Sequence, residues 1–245
     1  MRTAPPIARL LHALHPHGFP TPAQRITSRP QTRGFFNDLL GEVEVLSTHD
    51  QILGGPTGQS FLGSRFPADH GYGRLITAEG RKVGQRLAEL GVLGRFAVDF
   101  VVAQDDAGRW QTYAIEINLR KGGTTHPYLF LQFLTEGAFD EEEGVFRAPS
   151  GVEKYYVASD HLEDTLYRAI TPQHLIDILI RHRLHFDQAK QTGIIVHMLA
   201  TISENGRFGV VAVGDSHEQA EELYHRMQTI VRNEALQAIL APAIP

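Results

Sequence analysis

The sequence predicts an α+β protein: an antiparallel sheet with flanking helices, followed by a smaller α+β domain. Three observations carry that prediction. Two apolar runs, residues 95–103 and 110–117, flank Asp105-Asp106-Ala107-Gly108, a composition suited to a hairpin turn. A second pair, residues 194–202 and 208–213, brackets Ser203-Glu204-Asn205-Gly206, whose Asn-Gly step suits a tight turn. Around these pairs, apolar residues recur at helical spacing.

Taken in order, Ile7, Leu10, Leu11 and Leu14 fit one face of a short helix, interrupted by Arg9 and His12. Pro20, Pro22 and Pro30 then make an extended connector, because each proline also disfavours helix in the residue before it. Residues 43–53 are rich in β-branched and apolar side chains and predict a strand that ends at Gly54-Gly55-Pro56, with a second strand over 59–65. The Gly-Pro-Thr-Gly between them reads as a hairpin turn before a phosphate loop, since no helix with a Lys-Ser/Thr pair follows. Thr77 is positioned to cap a helix with a stripe of Val83, Leu87 and Leu90, and Gly91 stands where a left-handed residue would close it.

Residues 128–134 are apolar enough for a buried helix, a pattern that a strand would share, and Asp140 to Glu143 form a solvated acidic loop without calcium-loop spacing. Thr171-Pro172 begins a helix through Leu175, Ile178 and Leu179. Ser216 with Gln219 forms a capping box for a last helix containing Ala220, Leu223, Met227 and Ile230. The expected division is therefore 1–30 (helix and connector), 31–150 (main lobe) and 151–245 (small α+β domain).

Composition narrows the function. At 245 residues with 42% hydrophobic and 21% charged residues, the chain can bury one or two cores. A net charge of -5 and no dense Lys/Arg block argue against nucleic acid as a partner. No apolar run approaches the ~20 residues of a membrane helix, so the expected location is cytoplasmic. Without cysteine, a metal would sit on carboxylate, amide or imidazole groups.

The residues that carry chemistry lie on the first strand pair. Glu116 and Asn118, two apart on a strand, project from the same face, and the hairpin can bring Asp99 alongside. Mg2+ favours one or two carboxylates completed by phosphate oxygens and water, a demand these oxygens meet. Arg120 adds a fixed positive charge, and Lys121-Gly122-Gly123-Thr124-Thr125-His126 offers close backbone approach and several donors. The bland alternative is the wet face of a half-buried sheet. It loses ground because an acid, a hairpin, Glu-x-Asn-x-Arg and a glycine-rich donor loop follow one another.

This whole phrase resembles the ATP-grasp superfamily of carboxylate-amine ligases, in its C-terminal half. More narrowly, residues 46–51, 65–68 and 118–127 resemble the peptide ligases of the pheganomycin-biosynthesis group, and the tail from about Tyr155 to Met227 is similar to that group's C-terminal domain. The resemblance implies ATP and Mg2+ as cofactors, with Asp99, Glu116 and Asn118 on the metal. It implies a catalytic, phosphate-facing Arg120, nucleotide contacts from Arg120, Lys121, Gly122, Gly123 and Thr124, and substrate contacts from Arg65, Thr125 and His126. Some members carry an Arg two residues before the metal-binding Asp; Ala97 stands there, so no phosphate role is expected for Arg95.

The implied reaction joins a small-molecule or peptide carboxylate to an amine through an acyl phosphate. Nothing before Pro20 is long enough for the family's nucleotide-binding N-terminal lobe, so a separate lobe or a homo-oligomer is the expected partner. A noncatalytic binding or regulatory module retaining the fold is the alternative. Among the histidines, His12, His15 and His17 read as exposed, and His182 and His185 as helix-end residues. For His49 and Asp50, a structural hydrogen bond and a substrate contact stand level.

Overall fold

In the computed structural model, residues 29–240 are described apart from positions 39 and 59, with side chains from residue 35 onward. The expected helix over 7–14, most of the connector and His12, His15 and His17 lie outside the described residues. In chain order, the first half comprises β1 (Arg29–Asn37), β2 (Val43–Gly54), β3 (Ser60–Phe66), α1 (His70–Glu89), β4 (Gly94–Gln104), β5 (Trp110–Asn118) and α2 (Thr125–Thr135). There follow β6 (Ala138–Asp140), β7 (Val145–Arg147), β8 (Tyr155–Glu163), α3 (Pro172–Arg181), β9 (Gly193–His197), β10 (Arg207–Gly214) and α4 (His217–Leu240).

Two compact units divide these elements. The first takes the described residues up to Gln51 with Pro67–Tyr128 and Phe139–Val145; the second takes Ile52–Phe66, Leu129–Ala138 and the described residues from Phe146. Among the described residues, no helix is long and apolar enough to cross a membrane.

In the first unit the strand order is β5-β4-β1-β2, every neighbouring pair antiparallel. One face of this sheet is apolar: Phe35, Phe96, Val98, Phe100, Val102, Ala114 and Ile117 pack with Tyr72, Ile76, Val83 and Leu87 of α1. The helix comes close because Gly80 faces the ring of Phe35, where a Cβ would overlap the ring atoms. Phe35 is itself stacked on Phe96 at 5.2 Å.

Helix α1 starts earlier than the sequence predicts. Asp69, rather than Thr77, is the cap: its Oδ1 accepts from the Gly71 amide at 2.8 Å. Thr77 sits inside the helix and donates to the Gly73 carbonyl at 2.7 Å. Leu90 is 52% exposed rather than part of the buried stripe. Gly91 does adopt the left-handed conformation, with φ 77°.

The second unit has strand order β3-β8-β10-β9, again antiparallel throughout. Its core joins Leu175, Ile178 and Leu179 of α3, Phe208, Val210 and Ala212 of β10, and Met227, Val231 and Ala235 of α4. Thr171 caps α3 by accepting from the His174 amide at 3.1 Å. Ser216 accepts from the Gln219 amide at 3.2 Å, and Gln219 reaches back to accept from the Asp215 amide.

Strands β9 and β10 are paired as expected, but the link between them is not a tight turn. β9 ends at His197, and residues 199–205 coil into a 3-10 turn and a short helical turn closed by Gly206 at φ 66°. A Cβ on Gly206 would overlap the Asp164 carbonyl, so the Asn-Gly step serves helix termination rather than a hairpin. His182 caps the end of α3 and meets Glu234 of α4 at 2.9 Å.

Candidate active site

Strand register builds the site. Thr32 of β1 lies opposite His49 on one side and Asp99 on the other, and Asp99 lies opposite Glu116. The next row runs Ser47, Gly34, Ala97 and Asn118. Directly opposed residues share a face, so Ser47, His49, Asp99, Glu116 and Asn118 all belong to the sheet face turned away from α1. The Asn118 amide Nδ2 donates to Asp99 Oδ2 at 3.2 Å. Glu116 is exposed, and Asp99 and Asn118 are half-buried.

One feature of β5 was not legible beforehand. Phe100 pairs with Ala114 whereas Asp99 pairs with Glu116, which leaves Ile115 as an extra, exposed residue in a bulge. Ala114 points into the core. Strict alternation from it would send Glu116 and Asn118 into the same apolar layer. The bulge shifts the phase, so that Ile117 enters the core and the two polar side chains emerge on the opposite face.

The glycine-rich loop leads straight into α2. The Gly122 amide donates to Thr125 Oγ1 at 3.1 Å, and the Thr125 amide donates to the Gly122 carbonyl at 3.0 Å. Arg120 Nη1 donates to the Lys121 carbonyl at 3.3 Å. Thr124 is buried, His126 is half-buried, and Lys121 and Gly123 are exposed. The first-turn amides of α2 stand where an anion is favoured.

Arg120, Thr124 and Thr125 line a small pocket with Ser47, Arg95 and Tyr128, of about 20 Å³, room for roughly one water molecule. Arg95, for which no phosphate role is expected from the sequence, lines the same pocket as Arg120. The cue available in the sequence was its cross-strand proximity at the start of β4. Burial pushes the Tyr128 phenol up to about 12, with Glu44 adding to and Arg95 opposing the shift, so it is a neutral hydrogen-bond donor there.

Arg65 lies in the second unit, where its Nε meets Glu221 at 2.7 Å. His49 is fully buried on the same face as Asp99. Asp50, on the other face, accepts from the Asp69 amide at 3.2 Å and from the Tyr72 hydroxyl at 2.8 Å, which makes it a fastener for the start of α1.

Two carboxylates and an amide oxygen on one face suit Mg2+, which keeps water and phosphate oxygens for its remaining positions. Among the described residues, no group of three His, Cys, Asp or Glu side chains offers a closed metal cage. The donor set here is an open one, of the kind completed by a substrate's oxygens.

The comparisons with known proteins bear on the fold and the family. A family model described as the PGM1 C-terminal domain matches residues 174–227. L-propargylglycine–L-glutamate ligase of Streptantibioticus cattleyicolor is 32% identical over 208 residues, 85% of this chain and 41% of that protein. The phosphoribosylaminoimidazole carboxylase ATPase subunit from Aquifex aeolicus has a similar fold at TM-score 0.53 and 14% identity, over 85% of this chain and 57% of that one. N5-carboxyaminoimidazole synthase from Aspergillus clavatus, solved with ADP and 5-aminoimidazole ribonucleotide, is similar at TM-score 0.52 and 13% identity, over 84% and 51%.

Sequence and fold thus bear out the likeness to ATP-grasp carboxylate-amine ligases and the α+β architecture of antiparallel sheet and flanking helices. The chain spans 41% of the ligase's length and between 51% and 57% of the two structures'.

Proposed function

We propose that this chain is the metal- and phosphate-handling half of an ATP- and Mg2+-dependent ligase. The enzyme joins a carboxylate to an amine in the cytoplasm, and a nucleotide-binding lobe comes from further chain, a separate protein or a second copy. The observation that carries this reading is the cross-strand row: Asp99 opposite Glu116, with Asn118 bonded to Asp99 at 3.2 Å on the same face.

In this reading Asp99, Glu116 and Asn118 hold Mg2+, which supplies charge neutralisation on the nucleotide phosphates when bound. Arg120, with Arg95 beside it, binds the terminal phosphoryl group and offsets its charge as a substrate carboxylate takes it. Lys121, Gly122, Gly123 and Thr124 cradle the phosphates with main-chain and side-chain donors. Thr125 and His126 face the substrates. An amine then displaces phosphate from the acyl phosphate, and an amide bond results.

The test is ADP release in an assembly that contains both lobes. Glu116→Gln and Asn118→Ala each remove a metal contact worth several kcal/mol to the transition state, so turnover falls by about 100-fold or more. Unchanged turnover removes the assignment. A second reading, a noncatalytic module, is favoured by the narrowness of the Arg95–Arg120 pocket. Calorimetric titration separates the two. Half of a site binds Mg-ATP weakly alone and tightly once the other lobe is added, whereas tight binding by this chain alone contradicts the half-site.

A further inference from the structure

The second unit holds a cavity that the proposed reaction does not use. It lies between β8 and α4 and measures about 300 Å³, the lower end of the range for small-molecule sites.

Its walls depart from what two packed elements normally present to each other. On α4 the residues facing it are Glu221, Tyr224, His225 and Gln228, spaced i, i+3, i+4, i+7. This is the stripe that a helix ordinarily fills with apolar side chains to close against a sheet. On β8 the facing residues are Val157, Ser159, His161, Leu162 and Glu163, a stretch that turns largely polar halfway along, where its pairing with β10 is irregular between Ser159 and Leu162. A regular helical stripe and an irregular stretch of strand therefore meet with polar groups between them and leave space. Ile52 and Leu62 supply an apolar end.

The charges are arranged in opposition. Arg65 Nε meets Glu221 at 2.7 Å, with side chains 49% and 37% exposed. An ion pair that exposed contributes little to stability, so exchanging its members for a ligand's charges is cheap. Arg65 presents a planar fork that matches a carboxylate. Glu221, with Glu163 also on the wall, matches an ammonium group. Ser159 is committed: its hydroxyl donates to the Leu62 carbonyl at 2.6 Å and accepts from the His161 amide at 3.0 Å. It therefore holds the wall rather than the ligand.

A free anion is opposed by two carboxylates, and a plain apolar molecule leaves the polar stripes unsatisfied. A ligand with both charges and an apolar side chain satisfies every wall. We propose that this cavity binds a zwitterion of amino-acid size, with its carboxylate on Arg65, its ammonium on Glu221 and its side chain toward Ile52 and Leu62. The proposal stands on the second unit alone and needs neither nucleotide nor metal, so its failure leaves the ligase reading untouched, and the reverse holds as well.

The experiment is a nucleotide-free binding screen of the whole chain against each common L-amino acid. Saturation-transfer NMR reads binding, and the His161 and His225 imidazole signals report where it occurs. The expected result is saturable binding of at least one amino acid that shifts both imidazoles. The matching amine without carboxylate, and acid without amine, should bind at least about tenfold more weakly. Arg65→Gln and Glu221→Gln should each weaken binding by about tenfold with unchanged circular dichroism, since both side chains are partly exposed. Absence of saturable binding across the panel overturns the proposal. So does equal binding of the one-charge analogues, or binding that leaves both imidazoles unmoved.

Discussion

Replacing Gly80 by alanine sets two known effects against each other in one residue. In an exposed helix the change stabilises by about 1 kcal/mol, because glycine gives up more backbone freedom. Here the added methyl overlaps the ring of Phe35, a side chain with no exposed surface, stacked on Phe96 at 5.2 Å. The ring cannot rotate aside without unstacking, and overpacking of this kind costs about 1–3 kcal/mol. Because the overlap involves ring atoms rather than the tip of a flexible chain, we place the cost at the upper end. The net expectation is destabilisation by about 1–2 kcal/mol, a fall of roughly 2–8 °C in melting temperature for a chain of this size. Urea unfolding monitored by circular dichroism measures it. Gly80→Ala with Phe35→Leu should couple favourably, since the smaller side chain makes room. A Gly80→Ala protein more stable than the parent would refute the close approach of α1 to β1. Additive effects in the double variant would refute Phe35 as the cause.

Glu234 accepts bonds from His182 and Arg181, and these hold its carboxyl below the ordinary carboxylate value. A depressed folded pKa stabilises above the unfolded value and loses that contribution as pH falls through the lowered one. Glu234→Gln should therefore lower the melting temperature at neutral pH, with the gap to the parent closing as pH drops below about 4; a gap that persists in acid would contradict this. Tyr72→Phe deletes the 2.8 Å bond to Asp50, and a bond to a charged acceptor is worth about 1.5–3 kcal/mol, measurable by chemical denaturation. No loss would mean that Asp50 does not fasten α1.

What the sequence disclosed and what it hid have physical reasons. The β4–β5 hairpin, α3 and the apolar helix α2 are dominated by local signals: alternation, a threonine cap before proline, a continuous apolar run. Strand β1 escaped notice because Pro30 and Gly34 interrupt it and its partners, β2 and β4, are distant in sequence. Strand β8 carries no clear alternation because its second half sets Ser159, His161 and Glu163, which line a cavity, beside core Leu162 across an irregularity in its pairing with β10. The early start of α1 was obscured by Gly71 and Gly73, whose poor helix propensity is overridden by the Asp69 cap and burial of Tyr72 and Ile76. For the site, spacing put Glu116 and Asn118 together, and the hairpin put Asp99 near them. The phase relation to the core depended on a bulge that no local pattern announces.

That bulge makes the proposed metal ligands depend on an odd count. Were β5 to pair residue for residue beyond Ala114, Ile115 would stand opposite Asp99, and Glu116 and Asn118 would trade places with Ile117, burying acid and exposing oil. Losing Ile115 altogether would instead leave Ala114, Glu116, Ile117 and Asn118 in plain alternation, the two ligands still outward, so the strand can shed its surplus residue but cannot absorb it into the ladder.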